Sequence, residues 1–497
     1  MASKEDSTSG ATPPQGEAAR PMTEVGGVRS SDDPVPDLWF GENAGERRDA
    51  TCSAGEKRRE GRGDGPQGLP APEKVRQLQI TLYRKAKSSP GYRFWSLYGE
   101  VQRADVLGEA WRRVKANGGS AGVDGVTIEE LTGDAQKEAA WLSALREELH
   151  RKTSRPAPVR RVYIPKASGG VRPLGIPTVK DRVVQMAVYL VLMPIFEADF
   201  HPHSYGFRPK RRAQQAVAEI RRALRTGRTE VVDADLAQYF DTIPHRELLR
   251  QVARRVSDGM ILKLIKGWLR APSVEEKEGG GRTMKTNTCG TPQGGVISPL
   301  LANIYLHPLD EEINGQTSAK ARMVRYADDL VICCPAGKGV PLKERLTQWL
   351  RAKGLALNER KTRIVQSRES GFVFLGFAFR WQRSRHGKEY VHVCPSPAAE
   401  QALREKIRGM THHETTWKDP ADLVGEINQV TRGWAQYFAA SHHARSFRQL
   451  SHFVAERVRR WLRSKHHTEG MYERWPDEVL HGTYGLERLN YVWMQPS

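Results

Sequence analysis

The 497-residue chain carries 78 Lys plus Arg against 58 Asp plus Glu, a formal net charge of +20, which favours a polyanionic partner over an acidic small molecule. Its 38% hydrophobic content suffices for the buried cores of two or three domains, no apolar run reaches transmembrane length, and the N-terminus lacks a secretory pattern, so no membrane is expected as partner. Cys52, Cys289, Cys333, Cys334 and Cys394 form no CxxC pair and no zinc spacing, which argues against a disulfide framework or metal ribbon and for a reducing cytoplasm.

Residues 1–74 are rich in Gly, Pro, Ser and mixed charge and predict a disordered extension. From Val75 onward, Leu78, Leu82, Tyr83 and Ala86 recur at helical spacing. Leu107, Ala110, Trp111 and Val114 mark a second helix that ends at Asn117-Gly118-Gly119. Ala121-Gly122-Val123-Asp124-Gly125 reads as a turn. Arg208 and Lys210 open a helix whose Ala213, Ala216, Val217, Ile220 and Leu224 line a buried face, with Arg221, Arg222 and Arg225 largely off it. Val231 begins a strand that runs into Asp235 and then an aromatic and acidic cluster ending at Asp241.

Further along, the glycines of Gly290-Thr291-Pro292-Gln293-Gly294-Gly295 permit close backbone approach. Met323, Val324 and Tyr326 before Ala327-Asp328-Asp329, and Leu330 to Cys334 after it, predict a tight β-hairpin with adjacent carboxylates at its tip. Phe372 to Phe379 reads as a strand pair. The pattern then turns helical, with Leu423, Ile427, Val430, Trp434, Tyr437 and Phe438 on one helix. Phe453, Val454, Val458, Trp461 and Leu462 lie on the next, surrounded by Arg457, Arg459, Arg460 and Arg463.

Adjacent aspartates repel one another when both are ionised, and a divalent cation offsets that repulsion. From the residues alone, Asp328-Asp329 serves equally as a metal site or an ordinary Asp-Asp turn. Asp235 adds a third carboxylate. If Asp235 and Asp328 lie on neighbouring strands, with Asp329 completing the set, they suit two Mg²⁺ ions roughly 3.5–4 Å apart that activate a 3′-hydroxyl and stabilise a departing pyrophosphate.

Tyr326-Ala327-Asp328-Asp329 resembles the catalytic box of reverse transcriptases, and Asp235 to Phe240 resembles their upstream metal-binding motif. Tyr163-Ile164-Pro165-Lys166, Gly169 to Pro177 and Ser204-Tyr205-Gly206-Phe207-Arg208-Pro209 resemble fingers segments of group II intron reverse transcriptases. Gly290 to Leu300 resembles the nucleotide-binding block, while Leu357 to Thr362 and Phe374 to Phe377 resemble the last palm blocks. The segment around Arg432-Gly433-Trp434 resembles the maturase domain. These motifs occur in family order from about Val75 to near the end of the chain.

The resemblance implies an α/β right-hand polymerase, with fingers and palm over 75–395, a helical thumb or maturase domain over 396–475 and a short tail over 476–497. Asp235, Asp328 and Asp329, with the Leu236 backbone carbonyl, would hold two Mg²⁺ ions, with Mn²⁺ as a substitute. Lys166, Arg172, Gln293 and Lys361 would contact the deoxynucleoside triphosphate, and Phe240 would exclude the ribose 2′-hydroxyl. Arg208, Lys210, Arg432, Arg457 and Arg460 would contact RNA. The expected partners are a group II intron RNA, an RNA template with DNA primer, and a DNA target site, in a bacterial cytoplasm. Many intron-encoded relatives continue into a DNA endonuclease with paired Cys and His; none is expected here, and the pairs His412-His413, His442-His443 and His466-His467 do not replace it. A mobility primer would then come from elsewhere, for example a nascent strand at a replication fork. The rival readings are a non-polymerising splicing cofactor and a reverse transcriptase turned to defence or diversity generation.

Overall fold

The computed structural model describes residues 71–165, 171–276, 281–315 and 320–489. The expected disordered extension over 1–74 falls almost wholly outside them, as does Lys166. Fifteen α-helices and eleven strands in three sheets make up the described residues. None of these helices is long and apolar enough to cross a membrane.

At the centre lies a sheet of order β6-β7-β3-β8, formed by β3 (Glu230–Ala234), β6 (Arg322–Tyr326), β7 (Asp329–Cys334) and β8 (Arg363–Gln366). All three pairings are antiparallel. Alternation sends successive side chains to opposite faces. Val232, Ala234, Met323, Leu330 and Ile332 enter one core, shared with the helices Val179–Glu197 and Ser298–Asn314. Val231, Val324, Val331, Cys333 and Val365 enter a second core, shared with the helix Ala213–Arg225 and the C-terminal elements.

The helix Val179–Glu197 is the largest element absent from the sequence reading. Every residue but Lys180 and Glu197 is buried, so it has no polar stripe and no 3.6-residue alternation to betray it. It starts where the Thr178 side chain accepts from the Asp181 N–H at 3.1 Å, satisfying one of the donors a helix start leaves open.

A second sheet of order β2-β1-β4-β5 is built from β1 (Val159–Pro165), β2 (Val171–Ile176), β4 (Ser273–Glu276) and β5 (Arg282–Lys285). Strands β9 (Phe372–Phe374), β10 (Phe377–Arg383) and β11 (Glu389–Pro395) form the third sheet. The helices Pro397–Met410, Pro420–Phe438 and Ala444–His466 follow it. Residues read as a short tail dock on these helices: Leu480, Leu486 and Leu489 are buried, and Asn428 donates to the Gly485 carbonyl at 2.9 Å and accepts from the Glu487 N–H at 2.9 Å.

Candidate active site

Strands β6 and β7 close with Tyr326 opposite Asp329, which leaves Ala327 and Asp328 as a two-residue turn. Ala327 has φ +59°, a left-handed conformation that costs a non-glycine residue about 1–2 kcal/mol. Neighbouring contacts hold it there. Arg325 Nη1 donates to the Ala327 carbonyl at 2.8 Å, and the Gly206 backbone lies directly against Tyr326 and Ala327.

Strand β3 ends beside this tip. Its register pairs Ala234 with Leu330, so Asp235 continues to the position across from Asp329. Strands β3 and β7 are neighbours; Asp235 follows the end of β3 and Asp328 lies in the turn before β7, whose first residue is Asp329. Asp329 is exposed, while Asp235 and Asp328 are half-buried. Burial pushes the Asp328 carboxyl above its ordinary pKa; repulsion from Asp235 adds to this, and Arg172 and Arg325 oppose it. The three aspartates do not draw their oxygens into one tight group. Among the described residues, the group of three such side chains with ligand atoms all within 4.8 Å is the exposed His412, His413 and Glu414, so one of the histidine pairs set aside above does lie among closely spaced ligand atoms.

A loop before β8 orients Asp235. Asn358 donates through Nδ2 to Asp235 Oδ2 at 3.0 Å and through its backbone N–H to the Asp235 carbonyl at 2.8 Å. Lys361 Nζ stands 3.7 Å from the same carboxylate. Leu236 bridges Leu357 between the bonds Asn358 N–H to Asp235 carbonyl and Ala237 N–H to Ala356 carbonyl. In this pattern the middle residue's own carbonyl points away from its partner, so the Leu236 carbonyl faces away from Leu357.

Gln293 is turned toward Asp241, donating to its Oδ2 at 3.0 Å, while its carbonyl accepts from the Gly175 N–H at 2.6 Å. A Cβ at Gly294, whose φ is +112°, would sit 2.5 Å from the Gly175 carbonyl oxygen, which is why this block needs glycine to meet β2. Phe240 is half-buried and packs edge-on against Phe207 and Tyr239, with ring centroids 6.4 Å and 5.4 Å away. Arg172 on β2 reaches the electrostatic neighbourhood of Asp328.

The residues expected on RNA are scattered. Arg208 is placed inside: its side chain is 2% exposed, pairs with Glu197 at 2.7 Å, and donates to the carbonyls of His201 and Ser204. It precedes the helix, which starts at Ala213. The RNA contact expected of Arg208 is thus corrected to a structural one, since its donors are turned inward. Arg208→Met should lower unfolding free energy by about 3–5 kcal/mol, measured by denaturant melts; unchanged stability together with weakened RNA binding would reverse this assignment. Lys210 is exposed, Arg432 pairs with Glu487 at 2.5 Å, and Arg457 donates to the Thr411 hydroxyl and carbonyl at 2.9 and 2.8 Å. Arg460 is exposed, 3.7 Å from Glu456.

Sequence reasoning missed Asn358 as an orienting group and Arg325 as a buried one. Arg325 carried a signal: a full charge amid the apolar strand run Met323 to Tyr326.

The oxygen-only donor set, with two carboxylates repelling one another at a partly buried turn, fits a hard divalent cation. The reverse transcriptase (RNA-dependent DNA polymerase) family profile matches residues 164–379, and the group II intron maturase-specific domain matches residues 400–476. Protein YkfC of Escherichia coli (strain K12) is 34% identical over 71% of this chain and 99% of its own length. Group II intron-encoded protein LtrA of Lactococcus lactis subsp. cremoris is 30% identical over 73% of this chain and 72% of its own length. A COX1/OXI3 intron 1 protein of Saccharomyces cerevisiae is 29% identical over 72% of this chain, which spans about half of that protein (52%). Reverse transcriptases generally use divalent metal ions, and maturases of this kind bind intron RNA. With the paired domain matches and two relatives aligned over most of their length, the chain belongs to the group II intron-encoded reverse transcriptase and maturase family and is an RNA-directed DNA polymerase.

Proposed function

We propose that this protein binds the group II intron that encodes it, assists its splicing, and copies it into DNA for mobility, in the bacterial cytoplasm. The observation that supports the reading is that the end of β3 adjoins the β6-β7 turn, so that Asp235, Asp328 and Asp329 lie at the same end of the central sheet. These aspartates and the Leu236 carbonyl would hold Mg²⁺, with Mn²⁺ as a substitute. When bound, a pair of such ions supplies Lewis-acid activation of the primer 3′-hydroxyl and charge stabilisation of the leaving pyrophosphate.

The protein's own groups do the rest. Asn358 fixes the rotamer of Asp235, so the carboxylate is oriented before any ligand arrives. Arg172 and Lys361 bring positive charge to the side of the carboxylates where a triphosphate would lie, Lys166 and Gln293 would contact the same nucleotide, and Gln293 also braces Asp241 of the short helix Tyr239–Thr242. Phe240, wedged between Phe207 and Tyr239, presents a rigid wall to the sugar. Lys210, Arg432, Arg457 and Arg460 contribute charge to an RNA-binding surface. The deoxynucleotides, RNA template, DNA primer and DNA target site are the substrates of this reading.

Primer extension with deoxynucleotides on an RNA template tests the polymerase part. Salt tests the grip on nucleic acid: the logarithm of single-strand RNA affinity should fall with the logarithm of salt concentration at a slope of about −0.7 per phosphate contacted. A flat dependence, measured by filter binding across a salt series, would count against a phosphate-led interface.

A further inference from the structure

Arg325 lies on β6 opposite Leu330, on the sheet face that enters the core of Met323 and Ile332. Its side chain is 0% exposed and that of its partner Asp310 1%. A guanidinium carries five N–H donors, and here every one has an acceptor. Nε and Nη2 bond the two oxygens of Asp310 at 2.8 and 2.5 Å, and Nη2 also bonds Ser204 Oγ at 2.7 Å. Nη1 bonds Asn303 Oδ1 at 2.9 Å and the Ala327 carbonyl at 2.8 Å.

These acceptors come from three separate pieces of chain: the helix Ser298–Asn314, the Ser204–Gly206 segment and the hairpin turn itself. The backbone repeats the linkage, because Arg325 N–H donates to the His203 carbonyl at 3.0 Å and the Arg325 carbonyl accepts from Tyr205 N–H at 2.8 Å. Asn303 extends it, donating through Nδ2 to the Gly206 carbonyl at 2.8 Å.

Stability alone gives little reason for such a group. A buried ion pair seldom outperforms well-packed apolar side chains once desolvation is counted, and a leucine beside Leu330 would fill this core position with no charge to desolvate. A leucine has nothing to offer the Ala327 carbonyl, which belongs to a left-handed residue whose conformation sets where Asp328 points.

We infer that Arg325 is a positioning residue for catalysis, tying the turn of the Asp328-bearing hairpin to the helix Ser298–Asn314 so that the metal-ligating carboxylate is held in one place. The inference rests on the reading of Asp328 as a metal ligand. Arg325→Lys tests it, since lysine retains a cation for Asp310 but its single ammonium cannot also span Asn303, Ser204 and Ala327. In single-turnover extension on a primed RNA template, the rate constant should fall about tenfold or more, as expected for loss of hydrogen bonds from a charged group. Mn²⁺ affinity of the enzyme with template and primer, read from the free Mn²⁺ signal by electron paramagnetic resonance, should weaken by a comparable factor. The burst amplitude, which counts active enzyme, and template affinity should stay at the parental level.

Asn303→Ala and Ser204→Ala remove fewer of the same bonds and should show smaller losses in the same two readouts, which decides the matter if the lysine variant does not fold. A parental rate and Mn²⁺ affinity in the folded variants, or a loss confined to burst amplitude, overturns the inference. Asp328→Ala measured alongside separates the two levels: if it keeps rate and Mn²⁺ affinity, the metal-ligand reading fails and takes the inference with it. If Asp328→Ala is inactive while Arg325→Lys behaves as the parent, only the positioning role is lost.

Discussion

Asp328→Ala and Asp235→Ala should each reduce RNA-templated primer extension by about a thousandfold or more, because metal ions bear the charge that develops on both oxygens of nucleotidyl transfer. Binding to intron RNA and support of splicing should persist in both variants if, as in the function proposed above, the ribozyme supplies the splicing chemistry and the protein fixes its fold. A trivial cause, loss of folding, is unlike what the electrostatics predict. Burial and Asp235 both press against ionisation of Asp328, so Asp328→Ala should leave the melting temperature unchanged or raised in metal-free buffer, whereas Asp235→Ala also gives up the Asn358 hydrogen bond and the Lys361 pair and should bring no such gain. Asp329 is exposed and lies across from Asp235; its alanine variant should lose extension without that gain in stability. Robust extension by Asp328→Ala, or splicing lost in parallel with polymerisation in all three variants, would contradict this division of labour.

How much of this was readable in advance follows from how local each signal is. The hairpin around Ala327-Asp328 is written in a few adjacent residues, apolar run, turn, apolar run, and β6 and β7 pair as that pattern implies. In the helix Ala213–Arg225 the residues picked out by the 3.6-residue spacing are all buried, whereas in the C-terminal helices Val430, Trp434, Tyr437 and Phe453 are only half-buried, while Asn428, Thr431 and Arg459, polar and so invisible to an apolar pattern, are buried. The helix Val179–Glu197 is buried nearly all round, its Asp181, Arg182 and Gln185 included, so periodicity has no contrast to work with. Arg208 reads as a surface residue in the sequence for a related reason. A basic residue in a basic chain looks like surface, and only tertiary structure discloses Glu197 and two carbonyls waiting for its guanidinium. The Asn358 contact to Asp235 spans 123 residues of sequence, and no local rule connects them. The grouping of Asp235 with Asp328 is different: strand character before each carboxylate already allows it, and the family order of motifs strengthens it.

Gly206→Ala should cost about a hundredfold in the single-turnover extension rate, although it removes no catalytic group. A Cβ built at Gly206 would lie 2.3 Å from the Ala327 nitrogen, 2.8 Å from the Tyr326 carbonyl carbon and 3.1 Å from the Ala327 Cα. All three are backbone atoms of the Asp328-bearing hairpin, so no side chain can swing aside. Ordinary contact begins near 3.4 Å, which means that the hairpin tip or the Ser204–Gly206 segment must retreat by about 1 Å. The segment is not free to go: its Gly206 carbonyl is bonded by Asn303, and Tyr205 N–H by the Arg325 carbonyl. Displacement therefore falls on the turn, where Ala327 already occupies a left-handed conformation. The overpacking itself should destabilise the fold by about 1–3 kcal/mol, which leaves the protein folded and separates a slowed reaction from an absent one. Gly108→Ala is the matched control, as that glycine lies within the helix Ala104–Asn117 with nothing within 4 Å of the added methyl; it should keep the parental rate and gain about 0.5–1 kcal/mol from helix propensity. If Gly206→Ala extends primers as fast as Gly108→Ala, the tip of the hairpin tolerates movement, and fixed placement of Asp328 is not what limits the rate.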